Sequence, residues 1–140
     1  MSVIDNAISR LQAIALSCTS TTIKAAPDKP PEDASILPLA VAHITTGSGT
    51  ADNATDARLL LNVGVDIHFS HVSLKSAYTQ INAIIPEYLE RLCGDPTLVG
   101  NVDTIVFPVT FTVAPAEWDK ITTQMVSFIV PLKFKESPLK

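Results

Sequence analysis

Cysteine, aromatic residues and basic charge are all scarce in this chain of 140 residues, and each scarcity removes a class of protein. The two cysteines, Cys18 and Cys93, form no CxxC pair and cannot build a disulfide framework, so two buried free thiols are expected. Ten Lys and Arg against fourteen Asp and Glu give a net charge of −4, with no basic cluster. That removes the electrostatic footprint of a nucleic-acid binder. No apolar run approaches the ~20 residues needed to span a bilayer, so no membrane partner is expected. The opening residues lack the basic n-region and unbroken apolar core of a signal peptide, which predicts a protein that stays where it is made. No internal repeat or low-complexity tract is present.

What remains is an apolar fraction of 46% with 17% charged residues, a globular balance. A single domain over residues 1–140 is predicted, long enough to bury roughly 70% of its unfolded surface. Ile4, Ala7, Ile8, Leu11 and Ile14 recur at three and four, with Ser2 and Asp5 as a capping pair. That predicts a helix from Met1 to about Leu16. Thr19 to Lys24 reads as a short strand, and residues 25–35 as an exposed loop with three prolines. Ile36 to Thr45 reads as an edge strand with Pro38 near its start. Residues 46–56, small, polar and glycine-containing, read as a long mobile connection.

From Arg58 to Ser70 the odd positions Leu59, Leu61, Val63, Val65, Ile67 and Phe69 are all large and apolar, while Asn62, Asp66 and His68 alternate with them. This pattern predicts a strand with one buried and one largely wet face. A helix follows, with Ser73 as N-cap, Gly94 as stop and a stripe of Leu74, Ala77, Tyr78, Ile81, Ile85, Tyr88 and Leu92. Its phase persists across Pro86, so one helix, kinked there, is predicted. Ile105, Phe107, Val109, Phe111 and Val113 predict a second long strand, and Ile121 to Lys135 a last one. The last carries Val126, Phe128, Val130, Leu132 and Phe134 on one face and Met125 and Ile129 on the other. A strand apolar on both faces is central and covered or lies at a subunit contact. The predicted class is α+β, a mostly antiparallel sheet with two helices packed on one face.

No catalytic constellation emerges. His43, His68 and His71 are the residues a zinc site would use, but His71 falls in a turn and no second-shell carboxylate is evident. Gly47-Ser48-Gly49 lacks the strand-to-helix context of a nucleophile elbow and the Lys of a phosphate loop. Asn53-Ala54-Thr55 matches a glycosylation acceptor without a secretory signal. No catalytic, cofactor-binding or metal residues are therefore assigned. Trp118, the sole tryptophan, either caps the core at a sheet end or anchors a partner. Glu32, Asp33, Asp52 and Asp56 make the two long loops acidic, either as solvated tips or as a lining that repels a passing polyanion. With Trp118, Met125 and Ile129, these four acids are the interface candidates.

The succession of alternating strand, proline-containing helix, the stretch Leu92-Cys93-Gly94-Asp95-Pro96-Thr97-Leu98-Val99-Gly100-Asn101-Val102-Asp103 and a closing β pair resembles the bacteriophage tail terminator, or tail-to-head joining, proteins. The likeness covers about Leu59 to Glu136, with the amino-terminal helix also in place. It implies a virion structural protein with no catalytic motif. It also implies a ring of identical copies, commonly six, that caps the tail tube and meets the head connector or neck protein, while DNA passes through unread. The proline-rich and Gly/Ser/Thr-rich loops depart from the family's simplest pattern. Alternatives are a neck or head-completion protein of the same junction, a cellular adaptor domain and, from another class, a small metal-dependent hydrolase.

Overall fold

The alternating run from Leu59 to Phe69 folds as the expected strand, β2 (Ala57–Ser70), and the other strands assemble around it. The computed structural model describes residues 3–19, 23, 37–51, 57–70, 73–100, 102–118 and 121–134. β1 (Leu39–Ala51) pairs antiparallel along one side of β2, and β5 (Ile121–Phe134) along the other. The far side of β5 is shared by β3 (Thr104–Ile105) and β4 (Thr110–Trp118), both antiparallel to it. Among the described residues the sheet is therefore four strands wide and five strands in number, because β3 and β4 lie end to end. Helices α1 (Val3–Ser17) and α2 (Leu74–Cys93) pack on one face. The fold is α+β, as expected.

Period two decides which face the helices take. Val63, Val65, Ile67 and Phe69 of β2 stand beside Val130, Phe128, Val126 and Gln124 of β5, and all of them are buried. Burying each large apolar side chain fully contributes about 1.5–3 kcal/mol, so this face carries most of the folding drive. Tyr88 of α2 lies tilted against Phe128 with ring centroids 4.8 Å apart, and its hydroxyl donates to the Leu11 carbonyl of α1 at 3.1 Å. One buried ring thus ties both helices to the sheet. A second tie lies at the helix ends. Glu87 of α2 accepts from the Thr19 backbone N–H at 2.9 Å, while Arg91 bonds both Glu87 and the Ser17 hydroxyl.

α2 is one helix through Pro86, which is exposed and whose missing N–H leaves only the solvent-facing Asn82 carbonyl without its usual donor. Its buried line is Ala77, Ile81, Ile84, Tyr88 and Leu92. Compared with the expected stripe, Ile84 replaces Ile85, while Leu74 and Tyr78 are exposed. Ala77, Ile81, Tyr88 and Leu92 keep their expected places, and Ile85 is half-buried against the core, so the buried stripe is narrower than expected and gains Ile84 on one side. Cys93 is exposed, correcting the expectation of two buried thiols; Cys18 is buried.

Two further expectations change. Residues 46–51 belong to β1, which pairs through to Ala51 opposite Ala57, so the long loop shrinks to the residues between those two. Gly47 makes this possible, since a Cβ there would meet Leu61 Cδ2 at 2.6 Å. The predicted strand Ile105 to Val113 is broken between Ile105 and Thr110. Two prolines meet there, Pro108 within the gap and Pro131 opposite it on β5, and neither has an N–H to offer a neighbour. The Pro131 carbonyl is still used, accepting from the Val106 N–H at 2.8 Å. The loop at 25–35 and most of the strand expected at 19–24 lie outside the described residues, though Ile23 is buried in the core.

Candidate assembly surface

The face of the sheet away from the helices carries a connected polar row. Asp66 of β2 accepts the Ser127 hydroxyl of β5 at 2.5 Å on one carboxylate oxygen and pairs with His43 Nε2 of β1 at 2.8 Å on the other. Three strands are thereby cross-linked by side chains. Gly64 creates the room, since a Cβ there would lie 3.4 Å from the His43 ring and 3.0 Å from Thr45 Cγ2. One step along, His68 Nδ1 meets Thr123 Oγ1 of β5 at 2.8 Å. His68 is buried, contrary to the wet face expected for it, and burial pushes its pKa below the ordinary value. The nearby Asp66 carboxylate opposes that shift, and His43 adds to it.

The arrangement suits positioning better than nucleophilic chemistry. Activation of a serine needs a base that takes its proton, with a carboxylate behind the base. Here the carboxylate stands between Ser127 and His43 and holds both. Among the described residues, no group of three or more His, Cys, Asp and Glu is placed to hold a metal ion. His43 and His68 come to adjacent strands, while His71 lies outside the described residues. Burial also raises the Cys18 thiol to about 11 and pushes the Tyr88 phenol far up, leaving both protonated at neutral pH.

A different surface lies where the helix cover ends. Phe111 and Val113 of β4 stand beside Phe128 and Val126 of β5, on the face that the helices cover further in. Those two neighbours are fully buried, yet Phe111 is 44% and Val113 38% exposed. Phe111 and Phe128 have centroids 6.0 Å apart, so one row of aromatics runs from the core out to solvent. Val106 and Phe107, in the break between β3 and β4, are also exposed. Contiguous apolar surface of this kind marks contact sites.

Next to the break, the stretch Gly94 to Gly100 is held by backbone bonds from Leu98 to Asp95, from Gly100 and Val102 to Thr97, and from Ile105 to Pro96. Arg10 of α1 fastens it to the helices through Asp95 at 2.8 Å. Leu98, Val99 and Gly100 all have positive φ, of 50°, 58° and 84°. Leu98 thereby turns inward and is buried, while Val99 is left 68% exposed.

The expected interface residues divide. Met125 and Ile129 are half-buried on the helix-free face, Met125 beside His68 and Ala114, Ile129 beside Gly64 and Thr110. β5 is central in the sheet, which accounts for its two apolar faces. Trp118 ends β4 in register with Ile121, and its side chain lies outside what the structure describes. Glu32, Asp33, Asp52 and Asp56 also lie outside the described residues. Sequence reasoning passed over Phe111 and Val113, because alternation shows which face a residue takes but not where the helices stop covering it. It also passed over the joining of His43, Asp66 and Ser127, which depends on strand register. Asp66 and Ser127 among strongly apolar neighbours were the available signal.

No protein-family model matches the sequence, and no curated protein matches it. Among the described residues, no helix is long and apolar enough to cross a membrane.

Proposed function

We propose that this chain is a structural subunit of a bacteriophage tail, a terminator-type protein whose copies form a ring at the head-proximal end of the tail. The observation that carries this reading is the apolar flank of β4, where Phe111 and Val113 continue the core's side-chain rows into solvent. Leaving such side chains in water forgoes roughly 25 cal/mol for each Å² of apolar surface, which association recovers. The order of strand, proline-containing helix, Gly94–Gly100 turn and closing β pair supports the same reading through its resemblance to tail terminators. In this role the ring binds the tail tube protein on one side and the connector or neck protein on the other. DNA passes through its centre without specific contact, consistent with the net charge of −4.

Native mass spectrometry or light scattering, with and without assembled tail tubes, tests the proposal. The expected result is a closed multiple of the 15.0 kDa chain, six copies by the resemblance, that binds tube ends. A chain that stays single at every concentration and ignores tail tubes overturns it. Capture of the portal-side adaptor without the tube protein would assign it to the neck instead.

A further inference from the structure

The two margins of the sheet are lightly guarded against pairing with other strands, β1 by the irregularity between Ile44 and Thr46 and β4 by Pro115 and Glu117. Edge strands are commonly guarded by lysines, inward charges or prolines. β1 contains no Asp, Glu, Lys or Arg over its thirteen residues, and β4 has only Glu117, near its end. Among the described residues no backbone bond reaches the outer side of either strand.

The ladder shows which groups those margins offer. Asp103 and Val106 N–H donate to the carbonyls of Lys133 and Pro131, so the odd residues of β5 direct their backbone groups toward β3 and β4. Thr110, Thr112, Ala114 and Ala116 pair with those odd residues. By alternation, Phe111, Val113, Pro115 and Glu117 direct theirs to the open margin. Pro115 is tolerated there because its missing N–H points outward. The same alternation carried across β2 turns Ala40, Ala42, Ile44, Gly47 and Gly49 of β1 to that side, where Ala40 and Ala42 are buried and Ile44, Gly47 and Gly49 are open.

These two margins are complementary in size and in direction. On the helix-side face β4 offers Phe111 and Val113, which are large and exposed, whereas the open part of β1 offers Ile44, Gly47 and Gly49. Large side chains therefore meet small ones across a β4–β1 boundary. The sheet is four strands wide with every neighbour antiparallel, so its two margins run in opposite directions. A second copy placed head to tail continues the antiparallel alternation without reversal. Such a contact joins different surfaces of each copy, and when the rotation closes it produces a ring.

We infer that β4 of one copy pairs antiparallel with β1 of the next, making the sheets continuous around the assembly. Phe111 and Val113 cover the Gly47 and Gly49 margin of the neighbour. The inference rests on the ring reading above and specifies its subunit contact. In this pairing Thr112 stands between two outward residues and becomes the close, non-hydrogen-bonded neighbour of an inward residue of the adjacent β1. Such pairs have Cα atoms about 4.5 Å apart, within disulfide reach.

Cysteine cross-linking of the full chain tests it, with the exposed Cys93 replaced by serine. Protein carrying Thr112→Cys is mixed with protein carrying His43→Cys, Thr46→Cys or Ser48→Cys, all inward residues of β1, and oxidised. The expected result is a cross-linked dimer with one of these three, which reads out the register, and none with Gly49→Cys, on the opposite face. A combined variant with both cysteines should give a ladder of covalent multimers. Val113→Lys should return the assembly to single-copy mass with its far-UV circular dichroism unchanged. Thr112→Cys cross-linking to itself indicates a two-fold β4–β4 contact and overturns the inference. Rings that form normally with Val113→Lys, or that yield no β4–β1 cross-link, overturn it while leaving the ring reading standing. A chain that is single at all concentrations removes both.

Discussion

The two faces of this sheet are built from the same strands and sit a side chain's length apart, yet they follow different rules. On the covered face Val63, Val65, Ile67, Val126, Phe128 and Val130 lie under two helices, and what holds them is close packing of apolar groups. On the other face Asp66, Ser127, His43, His68 and Thr123 hold neighbouring strands together by hydrogen bonds, and neither α1 nor α2 lies above them. Packing is unspecific in direction and large in total, whereas a hydrogen bond is directional and contributes a net ~1 kcal/mol. The covered face therefore supplies stability. The open face holds the strands in one register.

That contrast can be broken most forcefully from the covered side. Phe128→Ala removes the ring that Tyr88 and Phe111 both contact, and a loss of about 3–5 kcal/mol is expected in denaturant unfolding. A loss below about 1 kcal/mol would mean that the helices do not rest on this strand. Asp66→Ala on the open face leaves Ser127 and His43 without their shared acceptor, and about 1–3 kcal/mol should be lost. The double variant with Ser127→Ala should lose less than the sum of the two single changes, because the two groups share one bond.

A smaller effect is expected from acid. Burial lowers the pKa of His68, so the folded chain prefers the neutral imidazole while the unfolded chain takes up a proton near pH 6.5. The stability this contributes is present above that pH and is lost as pH falls from 6.5 toward the lowered folded value. Thermal midpoints followed from pH 7.5 to 5 should decline in the native chain and decline less in His68→Gln. Parallel curves for the two would remove His68 as the cause. The smallest effect should come from Thr112→Val at the exposed margin of the same face, within about 0.5 kcal/mol. A larger change would show that the margin is already part of the packed core.

Much of this arrangement was legible in the residue order. The period of two from Leu59 to Phe69 and of 3.6 around Ile81, Tyr88 and Leu92 announced the central strand and the second helix, because burial on one side leaves a repeating trace. Ser73 and Gly94 marked the ends of that helix where the structure has them. The break opposite Pro131 was only half legible, since Pro108 stands inside Ile105 to Val113 while the proline facing it lies on another strand some twenty residues later. The extension of β1 through Gly47 and Gly49 was hidden for a similar reason. Small polar residues read as loop until a partner strand such as Leu59 to Asn62 supplies the pairing.

Local period and the identity of neighbouring residues were enough to settle the class of fold, the second helix and the apolar side of the central strand. The joining of Asp66 to both Ser127 and His43, and the uncovered position of Phe111 and Val113, came instead from contacts made in three dimensions. Those outcomes depend on strand register and on where a helix ends in space, which arise from contacts between residues far apart along the chain.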